Sequence, residues 1–285
     1  MKRIKFKFIE EKIFNVLMIV STFIVLGFLG SILWTVIKNG WPAMNWDMIT
    51  KLPGGGFYIG KEGGLLNAIV GSLYIVGAST ALGLLISIPI VFYINIYLKK
   101  TSKLAYFTRL SFDVLYGIPS NVYGAFAFTL LIFFGLRTSL LGGIIVITLL
   151  IIPIFVRSMD EVARQLPKDL LDATYSLGAT RWEVIKVAIR QIAPGIATAT
   201  LLSIGRAIGD TAGVMFTAGF TDSIPTSLGQ PAATLPLSIF FQLSSPMPEV
   251  RERAYAAALL LTLIVLALSI LGRFITNRFS KNKIL

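Results

Sequence analysis

The chain of 285 residues contains no cysteine and no histidine. That removes disulfides, thiol nucleophiles, the commonest zinc ligands and the usual general base together. Acids are also scarce, 14 Asp and Glu against 26 Lys and Arg. With Asp210 the one carboxylate deep within an apolar segment, no catalytic constellation can be assembled, and no G-x-x-x-x-G-K-[ST] stands in the chain. It is therefore read as a non-enzyme without an ATPase site of its own, and no cofactor or metal is expected on it. What is plentiful is apolar surface: 55% of residues are hydrophobic and the mean hydropathy is +0.79. Such a composition belongs to an all-α integral membrane protein. A formal charge of +12 could suit nucleic acid, but cations flanking apolar spans follow from the positive-inside bias, so no nucleic-acid partner is expected.

A bilayer core of about 30 Å takes roughly 20 apolar residues per helix. Six runs qualify: Ile13 to Ile37, Leu66 to Leu98, Phe112 to Leu136, Leu140 to Val156, Ile192 to Phe220 and Tyr255 to Ile275. The first follows a basic segment, 1–12, and is too long for a simple signal peptide, so it reads as a retained anchor. Residues 13–285 then form one transmembrane domain. With the N-terminus in the cytoplasm, 19 basic residues fall inside and six outside, leaving Arg206 in the membrane. That asymmetry places both termini in the cytoplasm of a multi-pass protein of the cytoplasmic membrane.

Two outside loops result, 38–65 and 221–253. The glycine cluster of the first suggests a phosphate cradle, but without a P-loop pattern an ordinary turn-rich loop is the simpler reading. Within the second, Leu235 to Leu243 is apolar yet too short to span, and suits a re-entrant or interfacial piece.

The inside segment 157–193 parses as two helices around a tight turn. Pro167 suits a first helical turn, and Leu170, Leu171 and Leu177 line one face of the helix that follows. Gly178 is placed as a left-handed C-terminal cap, and Thr180 with Glu183 has capping-box spacing for a second helix, on which Val184, Ala188 and Ile192 recur every four residues. An amphipathic pair of this kind either lies on lipid headgroups or docks a soluble partner.

The stretch DATYSLGATRWEVIKVAIRQIAPG resembles the coupling loop of bacterial ABC-importer permeases, whose pattern is Glu-Ala-Ala, three residues, Gly, nine residues, Ile-x-Leu-Pro. Asp172, Ala173 and Thr174 stand at the first three positions and Gly178 at the glycine, while Ala188 to Gln191 depart from the ending. The segments GGLLNAIVGSLYIVG, YGIPSNVYGAFAF and RAIGDTAGVMFTAG, with AYAAALLLTLIVLAL near the end, resemble permeases of the PstA type in the phosphate importer. In that family Arg-Ala-Ile-Gly-Glu-Thr-Ala-Pro is common where this chain has Asp210 and Gly213. The resemblance implies the type I importer permease fold, with six transmembrane helices and a coupling loop in which Asp172, Ala173, Thr174, Gly178, Thr180, Arg181 and Glu183 meet an ATPase. It also implies a PstC-type second permease, an ABC ATPase dimer that binds ATP and Mg, an extracytoplasmic phosphate-binding protein, and phosphate as cargo.

Arg206 and Asp210 are then the pair to explain. A charge near the bilayer centre costs roughly 2.5–3.5 kcal/mol on insertion scales. Residues four apart share a helix face, so one reading is an internal ion pair that makes insertion tolerable. The other makes Arg206 the anion attractor, because a guanidinium presents a rigid fork to phosphate oxygens, with Asp210 its partner when the path is empty. Ser203, Thr211 and Thr217 add hydroxyls that either line the same route or pack. The same architecture could carry phosphonate, molybdate or sulfate, and an ion-coupled carrier is the alternative of another class.

Overall fold

A computed structural model describes residues 2–54, 62–99 and 101–280. Gly55, Gly56 and Gly60 of the glycine cluster, with Lys61, Lys100, Lys281 and Lys283, lie outside the described residues. In chain order the helices are α1 (Lys2–Gly40), α2 (Trp46–Thr50), α3 (Leu66–Phe92), α4 (Lys103–Tyr116), α5 (Ser120–Phe133), α6 (Leu140–Arg164), α7 (Lys168–Ser176), α8 (Arg181–Ile208), α9 (Ala212–Thr217), α10 (Leu235–Leu243) and α11 (Pro248–Ser280). A π-helical turn, Tyr93–Tyr97, continues α3, and two short antiparallel strands, β1 (Pro53–Gly54) and β2 (Glu62–Gly63), close the loop before it.

Among the described residues five helices are long and apolar enough to cross a membrane, and α4 with α5 would make a sixth. Here the expected third span is corrected. Phe112 to Leu136 is not one helix: α4 and α5 meet at 100° across Gly117-Ile118-Pro119. The backbone of Ile118 is steered away from helix by the following proline, and Pro119 supplies no donor, so the chain turns there. The expected fifth span, Ile192 to Phe220, is corrected as well. Its helix begins at Arg181, ends at Ile208, and resumes only as the six-residue α9.

Helix α6 is the centre of the packing. Ile147, Ile151, Phe155, Val156 and Met159 are all essentially sealed, and α3 and α8 lie against it. At its N-terminus the orphan donors find carbonyls at the end of α9 and on the loop after it: Ser139 N–H donates to Thr217 O, Leu140 N–H to Gln230 O and Leu141 N–H to Leu228 O. That loop therefore belongs to the bundle. The apolar piece in 221–253 folds as α10, buried against α3 and α11, with Leu235 and Leu237 inaccessible. Leu235 N–H donates to Ser72 Oγ at 2.9 Å. At Gly71 the backbones come so close that a Cβ would lie 2.0 Å from Ala233 O, so any larger residue would push α3 off the loop.

Helix α1 differs from the rest. It rests on α11 near Gly40 and Tyr255, yet Glu10 to Thr35 is exposed throughout. An apolar helix with no buried stripe contributes little to the fold of its own chain.

Candidate functional site

The segment around Arg206 is a helix end. Helix α8 stops at Ile208, Gly209 caps it, and α9 starts at Ala212. Asp210 is buried, and its Oδ2 accepts a hydrogen bond from Gly213 N–H at 2.8 Å. Arg206 is exposed on the opposite side of α8, alongside Leu202, Gly205 and Gly209. The internal ion pair is therefore overturned: among the described residues Arg206 and Asp210 do not pair, because the helix that would put them on one face ends between them. The pairing of Asp210 with Gly213 also gives a reason for the local departure from Glu and Pro. A proline at 213 has no N–H to donate, and a glycine does. A Cβ there would stand 2.6 Å from Asp210 Oδ2, so the short carboxylate and the bare backbone fit together.

The nearby hydroxyls divide. Thr211 is half-buried beside the break, Thr217 is sealed and donates to Gly213 O at 2.9 Å, and Ser203 is sealed with no hydrogen-bond partner among the described residues. Ser203 and Ala207, four apart, make the core face of α8, while Leu202 and Arg206 make the outward one.

At the other end of α8 the turn forms as its spacing predicts. Gly178 has φ +80°, and its N–H donates to Tyr175 O at 2.9 Å. Thr180 caps α8 with both bonds of the box: Glu183 N–H donates to Thr180 Oγ1 and Thr180 N–H donates to Glu183 Oε2 at 2.7 Å. The Thr180 backbone N–H and then its hydroxyl hold the Glu183 carboxyl below the usual carboxylate range. Val184, Ala188 and Ile192 are buried, as their period requires. The face expected on α7 is corrected. Leu170 and Leu171 are half-buried, but Leu177 is 88% exposed, and no residue of α7 is buried. Asp172, Ala173, Gly178, Thr180, Arg181 and Glu183 are exposed and Thr174 is half-buried. Tyr175, Leu177 and Trp182 add exposed apolar surface around the same turn.

The turn and Arg206 are parts of one rigid element. The second helix of the pair and the fifth span are a single helix of 28 residues, and Arg181 to Arg206 measures about 37 Å at 1.5 Å per residue. Pro194 interrupts one backbone bond inside it, and Gly195 next to it lets α8 approach Val162 of α6 closely.

Sequence reasoning missed one cluster. Asp160 of α6, buried, accepts from Arg109 Nε at 2.9 Å and Nη2 at 3.0 Å, from Arg164 at 2.6 Å and from Asn95 Nδ2 at 2.7 Å. The clasp joins the π-helical turn, α4 and α6 just before the chain leaves for α7. Only the Asp160 and Arg164 spacing was visible in the sequence; the contribution of α4 depends on the bend at Pro119.

Residues 87–283 match the family described as binding-protein-dependent transport system inner membrane component. The chain belongs to this family. The permease is 35% identical over 272 residues to the phosphate transport system permease protein PstA of Haemophilus influenzae, covering 94% of this chain and 95% of that one. It is 35% identical to PstA of Yersinia pestis over 88% of this chain and 84% of the relative. To PstA 1 of Mycobacterium tuberculosis H37Rv it is 32% identical over 87% and 82%. The fold is that of the membrane subunit in the inward-facing MetNI methionine ABC transporter, with a TM-score of 0.61 at 18% identity over 75% of this chain and 95% of that chain. Membership of this family is consistent with a chain that has no ATPase site of its own.

Proposed function

We propose that this permease is the membrane subunit of an ATP-driven importer that carries inorganic phosphate into the cell. It sits in the bacterial cytoplasmic membrane with both termini and the α7–α8 turn in the cytoplasm. There it pairs with a PstC-type permease, an ABC ATPase dimer that holds ATP and Mg, and an extracytoplasmic phosphate-binding protein. The relatives named for phosphate transport support the cargo. The observation that carries the mechanism is the single helix joining an uncovered docking turn to Arg206.

Around Gly178 a helix with no buried residue presents Tyr175, and Leu177 follows it, exposed. An isolated chain gains nothing from such a surface, and an ATPase cleft would cover it. Asp172, Ala173, Thr174, Thr180, Arg181 and Glu183 surround the same turn and form its polar rim. When the ATPase closes, the turn moves and α8 moves with it, because a capped helix transmits displacement along its axis.

At the far end the displacement reaches Arg206. Its guanidinium stays charged and offers parallel donors to an oxyanion. With Asp210 held by Gly213, Arg206 has no carboxylate beside it on α8, and phosphate meets it directly, with Thr211 as the nearest hydroxyl of the break. Ser203 and Thr217 stand behind it in the core and reach the path only when α8 shifts. Weak, shared contacts of this kind let the anion leave after it has entered.

The test is reconstitution of the four purified components in liposomes. ATP-dependent accumulation of labelled phosphate, undiminished by excess sulfate or molybdate, is expected. Accumulation of another oxyanion in place of phosphate would overturn the assignment of cargo.

A further inference from the structure

A second site lies near the docking turn. Between the π-helical turn, the start of α4 and the first turns of α8 runs an apolar groove of about 710 Å³. Its walls include Tyr93, Tyr97, Leu104, Thr108, Trp182 and Ile189. Tyr93, Tyr97, Leu104 and Trp182 are each more than 40% exposed, so the groove is open at the side.

The rim is cationic. The Arg181 guanidinium lies 5.0 Å over the Tyr97 ring, and Lys186 Nζ lies 5.6 Å from the Trp182 ring. Lys99 and Lys103, both exposed, flank the link from the π-helical turn to α4. Glu183, the acid on this part of α8, is engaged by Thr180. Aromatic rings with cations beyond them, at the end of a spanning helix, mark the depth of lipid headgroups. Basic pockets between membrane helices hold anionic headgroups, and each nearby cation adds to the attraction.

We propose that this groove binds one anionic glycerophospholipid. An acyl chain lies along Tyr93, Leu104 and Ile189, and the phosphate rests among Lys99, Lys103 and Lys186, with Arg181 left to the docking turn. The π-helical turn makes the room: its wider ladder ends the spanning helix at Tyr97 and turns both tyrosines towards the groove. The lipid thereby wedges α4 against the base of α8, the helix that carries motion from the turn. Its placement in the cytoplasmic leaflet rests on the orientation proposed above, but binding itself does not depend on what the importer carries.

The experiment is native mass spectrometry of the assembled importer after equilibration in nanodiscs of phosphatidylglycerol and phosphatidylcholine in equal parts. The wild type is expected to retain phosphatidylglycerol in preference. Thr108→Trp, which fills the groove, should lose one equivalent. Lys103→Gln with Lys186→Gln, two surface changes that leave the packing alone, should weaken phosphatidylglycerol retention about tenfold or more while phosphatidylcholine is unaffected. Equal retention of both lipids by the wild type would overturn the proposal. So would undiminished phosphatidylglycerol in the lysine variant, or a partner-subunit side chain cross-linked into the groove. Phosphate accumulation is not a readout here, so a wrong cargo and an empty groove are told apart.

Discussion

Arg206 and Asp210 are four residues apart and do different work. Asp210 is a local cap: its carboxylate takes the Gly213 N–H and sets the angle at which α9 leaves the end of α8. Removing it should act on stability. Asp210→Ala is expected to cost about 1 kcal/mol, as capping residues do, and Asp210→Asn much less because its amide oxygen can accept the same bond. Thermal unfolding of the detergent-purified complex measures both. If Asp210→Asn instead abolished transport at unchanged stability, the carboxylate charge itself would be required and the cap would not be its main role. Asp160 works at the opposite end of the molecule and is held by three side chains. Asp160→Ala leaves Arg109, only partly exposed, without its carboxylate and with Asn95 Oδ1 as its remaining acceptor. A loss of about 2 kcal/mol is expected, below the range for a fully buried pair because Arg164 is in water. Asp160→Asn should recover part of it. Equal melting of Asp160→Ala and wild type would mean that the clasp adds nothing to stability.

At the scale of elements, the α7–α8 turn is the best determined feature. Gly178 has a positive φ, and no atom stands within 4 Å of where its Cβ would be, so backbone conformation is the only obstacle to a side chain. That separates two substitutions by physics. Gly178→Asn should keep most ATP-driven transport, since asparagine enters the left-handed region, and Gly178→Val should lose it, since a β-branched residue does not. Equal activity of the two would mean that the turn's shape is not what couples. This turn was legible in the sequence because caps are local: a Gly, then Thr180 and Glu183 at fixed spacing, specify it without tertiary help. The end of α8 was not legible in the same way. Residues 203–220 remain small and apolar through the break, so composition predicts a continuing span. What stops the helix is Gly209 together with the Asp210 to Gly213 bond. The bend at Gly117-Ile118-Pro119 carried a visible proline signal, but hydropathy runs across it, and an apolar run alone does not say whether a helix goes straight. Leu177 was misplaced for a related reason: period assigns a face, and only a partner decides whether that face is covered.

Over the whole molecule, the described surface is that of one part of an assembly. Helix α1 exposes apolar residues on all sides, α7 buries none, and Arg206 points away from the core formed by α3, α6 and α8. Each is unfavourable for a chain alone and reasonable for a subunit with a second permease beside it and an ATPase beneath it. The apolar helices were largely legible because bilayer thickness acts on the entire chain: among the described residues five are long enough to span, and α4 with α5 would make a sixth. The joining of the α7–α8 turn and Arg206 through one continuous helix was legible in their order along the chain, and α8 runs from Arg181 to Ile208 with Pro194 inside it. In the proposed mechanism Arg206 meets the anion while the turn receives the ATPase. It is tested most directly by ATP-driven uptake of labelled phosphate in liposomes containing the reconstituted importer with Arg206→Ala. Assembly and ATP hydrolysis near the wild-type level with uptake reduced at least about tenfold, the loss of a charge-assisted contact, is the expected result. Uptake at the wild-type rate would contradict it.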